Sequence, residues 1–101
     1  MQIIDGFDKD HLKVTVILKR NTMSWDVSDE YAENYLKCIK SHMEAVCNME
    51  TVTVYDIYRK LEIKNPKGIL ALLGWDPTDI FEMNYYVHEN RIMISFICHQ
   101  L

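Results

Sequence analysis

The C-terminal stretch Ile80 to Leu101, IFEMNYYVHENRIMISFICHQL, decides how the chain is read. Its apolar residues alternate on either side of Glu89-Asn90, as expected of two half-buried strands joined by a tight loop. One register pairs Val87 with Ile92, Tyr85 with Ile94, Met83 with Phe96 and Phe81 with Cys98, all on one face. A shift of one residue would set Val87 against Arg91 and Met83 against Ser95. Because the side-chain period of a strand is two, such a slip turns the whole apolar set outward, so the pattern selects the first register. The reverse face, with Tyr86, Met93 and Ile97, is still fairly apolar and reads as either partly covered or a contact surface.

Working back from the hairpin, residues 12 to 18, LKVTVIL, place Leu12, Val14, Val16 and Leu18 on one face and Lys13, Thr15 and Lys19 on the other. This is a second half-buried strand. Arg20-Asn21 can turn the chain into TMSWDV, where Met23, Trp25 and Val27 alternate, which predicts an N-terminal hairpin. A short leading strand is expected around Gln2 to Ile4.

Between the strands lie three helical segments. Ser28 followed by Asp29 and Glu30 is an N-cap with acids in the first turn. The helix that follows, from about 29 to 47, carries Ala32, Tyr35, Leu36, Ile39, Met43, Val46 and Cys47 on one side. Such a stripe covers a sheet. Thr53 caps a second helix with Asp56 at its third position, a relative of the capping box, and Val52 and Ile57 are spaced as a hydrophobic staple. Val54, Ile57, Tyr58 and Leu61 recur at helical spacing. In NPKGILALLGW, residues 65 to 75, Asn65 can cap, Pro66 suits the first helical position and Gly74 suits the residue that ends a helix. Ile69, Leu70, Leu72 and Leu73 go almost all the way round, so this third helix is expected to be buried on most sides, with Gly68 admitting a close neighbour. Trp75 packs as the chain leaves, and Asp76-Pro77-Thr78-Asp79 is a turn.

The predicted fold is therefore α+β and a single domain, 1 to 101. An antiparallel sheet from the N-terminal strands and the C-terminal hairpin is covered on one face by one long and two short helices. At 101 residues, with 49% hydrophobic and 26% charged residues, the chain can build a core without disulfides or metals. The three cysteines, Cys38, Cys47 and Cys98, include no Cys-x-x-Cys spacing and read as buried reduced thiols. No apolar run approaches the roughly 20 residues of a membrane span, and the N-terminus lacks the basic and apolar regions of a secretory signal. A cytoplasmic protein is expected.

Chemical motifs are sparse. Gly68 and Gly74 are separated by large apolar residues with no Lys-Ser or Lys-Thr following, so they form no phosphate loop. Cys38 and His42 sit one helical turn apart, but two ligands define no metal site, and Asp5, Asp8 and Asp10 lack the rest of a calcium loop. No acid, base and nucleophile set suggests catalysis, and neither a metal nor a cofactor is expected. Arg59, Lys60, Lys64 and Lys67 cluster where a helix-turn-helix would lie, yet ILALLGW offers no polar side chain to read bases. A net charge of -4 also opposes nonspecific nucleic-acid binding.

Acidic surface remains. Asp26, Asp29, Glu30 and Glu33 form one cluster, while Asp76, Asp79, Glu82 and Glu89 form another with no Lys or Arg between them. Beyond conferring solubility, such carboxylates suit contact with the basic nucleic-acid channel of a partner protein, with Tyr86 as an aromatic contact.

The segment VYDIYRKLEIKNPKGILALLGW, residues 54 to 75, resembles a pattern in small uncharacterised phage and prophage proteins, carried here by Val54, Tyr55, Leu61, Gly68, Gly74 and Trp75. The resemblance implies a mobile-element origin, in which small acidic proteins often bind and disable a host protein. The expected function is protein binding without catalysis, as an inhibitor of a host defence factor. A phage assembly accessory or a small DNA-binding regulator is the alternative. A homodimer through the reverse face of the hairpin stays open.

Overall fold

The computed structural model describes residues 3–8, 12–19, 28–63, 66–88 and 91–101. The C-terminal hairpin forms as its alternation requires. Strand β5 (Glu82–His88) pairs antiparallel with β6 (Arg91–Ile97), with Val87 opposite Ile92, Tyr85 opposite Ile94 and Met83 opposite Phe96. Phe81 and Cys98 fall just beyond the last paired residues.

The other edge of β6 takes β2 (Lys13–Lys19), and β2 in turn takes β1 (Ile3–Asp8), giving a four-stranded antiparallel sheet in the order β1-β2-β6-β5. The partner of β2 on its other edge is the leading segment, longer than expected. The segment expected as the second strand of an N-terminal hairpin, Met23 to Val27 with Asp26, lies outside the described residues.

One sheet face builds the core. Val14, Val16, Leu18, Met83, Val87, Ile92, Ile94 and Phe96 all point to it and are buried. Helix α1 (Asp29–Cys47) covers it with Ala32, Leu36, Met43 and Cys47, its side chains recurring at three- and four-residue steps as a sheet-covering stripe must. Helix α2 (Val54–Lys60) adds Val54, Ile57 and Tyr58. It stops where Glu62 takes a left-handed φ of 60°. There the N–H of Ile63 donates to Tyr58 O at 3.0 Å and that of Glu62 to Arg59 O at 3.1 Å, the paired bonds of a Schellman ending.

The segment 65 to 75 departs from the reading as a mostly buried third helix. Residues Gly68–Leu72 form a 3₁₀ turn in which Leu70 is buried while Ile69, Ala71 and Leu72 face solvent. The chain then becomes strand β4 (Leu73–Trp75), between β3 (Val52–Thr53) and β7 (His99–Gln100) in a second, three-stranded sheet. Joining this ladder ends the helix, because residues 73 to 75 give their backbone groups to neighbouring strands. Gly74 is thus no left-handed cap. A Cβ there would collide with the carbonyl oxygen of Val52 and lie 2.8 Å from the Cα of Thr53. Close backbone approach requires the glycine at 74, whereas a Cβ on Gly68 would meet nothing within 4 Å.

An aromatic cluster joins the two sheets. Trp75 lies 4.6 Å from Phe81 and 6.2 Å from Phe96, centroid to centroid, and Tyr58 packs on the other side of Phe96 at 6.2 Å. Among the described residues, no helix is long and apolar enough to cross a membrane.

Candidate protein-binding surfaces

The first acidic cluster sits at the start of α1. Ser28 is extended, at φ -63° and ψ 159°, and its hydroxyl accepts the N–H of Tyr31 at 3.2 Å. That cap fixes the direction in which the first turns project. Asp29, Glu30 and Glu33 are all exposed, and the carboxylates of the first turn complement the positive end of the helix. Among them stands Tyr31, with 54% of its surface exposed. The buried positions Ala32 and Leu36 face the sheet, so Tyr31 lies off the core stripe. That displacement is the sequence signal by which Tyr31 could have been found. Tyr35, one turn on, is half-buried and donates its hydroxyl to Lys60 O at 3.4 Å. Burial, and then the nearby Glu62 carboxylate, push its phenol above the ordinary range.

The second acidic cluster is divided. Asp76 Oδ1 accepts the Thr78 N–H at 2.8 Å and the Thr78 hydroxyl at 2.5 Å, while Asp79 Oδ2 accepts the Asp76 N–H at 3.0 Å. The Thr78 hydroxyl and backbone N–H hold the Asp76 carboxyl below the usual carboxylate range. His99 Nε2 lies 3.8 Å from Asp79 Oδ1. These two acids build the turn that launches β5. Glu82 instead shares the outer face of β5 with Tyr86, two side-chain steps away, and Glu89 lies outside the described residues.

The sheet face opposite the helices carries a second surface. Strand register aligns its residues in rows across the strands. Ile17, Met93 and Tyr86 form one row; Gly6, Thr15, Ser95 and Asn84 form the next; Asp8, Lys13, Ile97 and Glu82 close one end. Arg91 and His88 close the other. Tyr86, Met93 and Ile97 keep 59%, 41% and 40% of their surface exposed.

Between the end of α1 and α2 lies an open cleft of about 490 Å³. Met43, Val46 and Val52 supply apolar lining, and His42, Glu50, Asp56, Arg59 and Lys60 line it with polar and oppositely charged side chains. Two of the cations set out for DNA binding thus line a mixed-charge cleft, and the position of a recognition helix is taken by the five-residue 3₁₀ turn. Of the three thiols, Cys47 and Cys98 are buried as expected, but Cys38 is exposed. It falls on the solvent side of α1, outside the core stripe. Among the described residues no three His, Cys, Asp or Glu side chains gather where a metal could be held.

The fold and surfaces define a small α+β domain built on an antiparallel sheet with one covered face. Comparison of the chain with models of known protein families, with curated proteins and with solved structures finds no match.

Proposed function

We propose that the protein acts by binding another protein, without catalysis, through the acidic N-terminal surface of α1. The observation that supports this is Tyr31, half-exposed among Asp29, Glu30 and Glu33. An exposed tyrosine supplies contact area at low entropic cost, and the carboxylates around it steer a basic partner and fix its orientation. A partner with a positively charged, nucleic-acid-binding channel fits this chemistry. The likeness of residues 54 to 75 to small phage and prophage proteins is in keeping with an inhibitor of a host defence factor that occupies such a channel.

The test is affinity capture from bacterial lysate with the folded protein, at low and high salt. A single stoichiometric partner, released at high salt, is expected. The triple variant Asp29→Lys, Glu30→Lys, Glu33→Lys should abolish capture with an unchanged circular dichroism spectrum, and Tyr31→Ala should weaken it at least tenfold. Capture that survives the triple reversal would remove this surface from consideration.

A further inference from the structure

No described residue covers the outer sheet face, and that face is complementary to itself. Three of its large residues, Ile17, Met93 and Tyr86, occupy one row, the smaller Gly6, Thr15, Ser95 and Asn84 occupy the row beside it, and Ile97 lies in the row beyond. Its charges are also segregated along the strands. Arg91 lies at one end, beside His88, while Glu82 and Asp8 lie at the other, with Lys13 the one cation there among the described residues. We propose that two copies of this chain pack these faces together about a two-fold axis running across the strands at the level of Val16 and Ile94.

Two in-plane axes can bring identical sheets face to face, and the residues discriminate between them. An axis parallel to the strands lays β5 over β1 and sets each row over its own kind, so that Glu82 faces the Asp8 end of the other copy. Large residues then oppose large, and acid opposes acid. The axis across the strands keeps each strand over its own counterpart and inverts the rows. Tyr86 then lies over Asn84 of the second copy, Met93 over Ser95 and Ile17 over Thr15, so the large row fills the relief above the small one. Arg91 comes within side-chain reach of the second copy's Glu82, and the contact occurs twice by symmetry. Within one copy the two residues sit at opposite ends of the sheet, about 20 Å apart at roughly 3.3 Å per residue, so they cannot pair internally.

The size of the face sets the strength. Four strands about 4.8 Å apart and seven residues long give a footprint of roughly 450 Å² per copy. With side-chain relief the total buried area is on the order of 1,000–1,200 Å², the low end of specific interfaces. A dimer that dissociates in the micromolar range is therefore expected. Since α1 lies on the opposite side of the sheet, both acidic helix surfaces stay outward. The dimer stands apart from the partner-binding surface and would present it twice, gaining avidity on a multivalent target.

Sedimentation equilibrium across a concentration series tests the proposal. The expected result is a monomer–dimer equilibrium between the 12.0 kDa chain and twice that mass. Ser95→Arg, which fills the small row, should leave only monomer. Glu82→Arg and Arg91→Glu should each raise the dissociation constant at least tenfold, and the double variant carrying both should restore the dimer. Circular dichroism of each variant confirms folding, and because Ser95, Glu82 and Arg91 all lie on the outer face, none removes a core contact. A wild-type monomer at millimolar concentration, a dimer untouched by Ser95→Arg, or a charge swap without rescue would each overturn this arrangement.

Discussion

Trp75 donates its indole N–H to the main-chain carbonyl of Ile97 at 2.8 Å, from the middle of the small sheet to the last residue of β6 in the large one. At the next residue, Cys98, the chain leaves β6, and its N–H donates to Leu12 O at 3.0 Å. The last residue of the large sheet's β6 is therefore tied to the small sheet by one side chain. The hydrogen bond matters because the Trp75 ring is fully buried, so that its N–H has no water to turn to.

Trp75→Phe should therefore cost more than the lost ring area. It removes the donor to Ile97, and it leaves space beside Phe81 and Phe96. A loss of about 2–4 kcal/mol in urea unfolding is expected, combining an unmade buried hydrogen bond with a cavity. A loss below about 1 kcal/mol would show that the bond does not join the sheets.

The two glycines of the segment 65 to 75 should respond in opposite ways. At Gly74 a Cβ meets fixed backbone of β3, so Gly74→Ala must push the strands apart and should destabilise by about 2–3 kcal/mol or more. At Gly68 the space is open and no glycine of the chain has positive φ, so Gly68→Ala should be neutral or stabilise by up to about 1 kcal/mol. Thermal unfolding of the two variants side by side measures the contrast.

The contrast also marks where the sequence was legible. The hairpin of β5 and β6 could be read in register because Met83, Tyr85 and Val87 on one strand and Ile92, Ile94 and Phe96 on the other keep a period of two and meet across it. Helix α1 could be read to its ends because Ser28 caps it and its stripe runs through to Cys47. The small sheet could not, since Val52–Thr53 and His99–Gln100 are too short to show any period. Strand β1, IIDGFD, carries a glycine and two aspartates that disfavour strands locally and is held by pairing with β2. The run Ile69 to Leu73 looked like a buried helix because hydrophobicity reports burial, while the choice of a strand at Leu73 lies in β3 and β7. Of the candidate surfaces, Tyr86 and the acids of α1 were visible in the sequence. The rows of the outer face needed the register of β2 against β6.

Thr53 offers a test of how far the small sheet depends on a helix cap. It belongs to β3 and also caps α2: its hydroxyl accepts the Asp56 N–H at 3.0 Å, and Asp56 Oδ2 accepts the Thr53 N–H at 3.1 Å. Thr53→Ala and Asp56→Ala should each cost about 1 kcal/mol. The double variant should cost less than the sum, because opening one bond of a reciprocal pair loosens the other. Strict additivity in denaturant unfolding would mean that the two bonds act independently.

The thiols give a pH dependence with a definite sign. Burial is the main cause that pushes both Cys47 and Cys98 above their ordinary range. Cys47 also points its Sγ at Asp76 O, 3.6 Å away, and feels the Asp79 and Asp76 carboxylates. Cys98 donates to Leu12 O at 3.0 Å. An unfolded thiol releases its proton near pH 8.5, whereas these two hold theirs to higher pH when folded. Above about pH 8.5 the unfolded chain thus binds fewer protons than the native one, and stability must fall as pH rises. It should be flat in this respect from pH 6 to 8, and the fall should shrink in Cys47→Ala and in Cys98→Ala at equal ionic strength. The raised phenol of Tyr35 adds to the loss only near pH 10 and above. The same burial predicts that a thiol reagent at pH 8 modifies one cysteine rapidly in the folded protein, the exposed Cys38, and all three after denaturation. Rapid native labelling of Cys47 or Cys98 would show that their burial is lost on the timescale of the reaction.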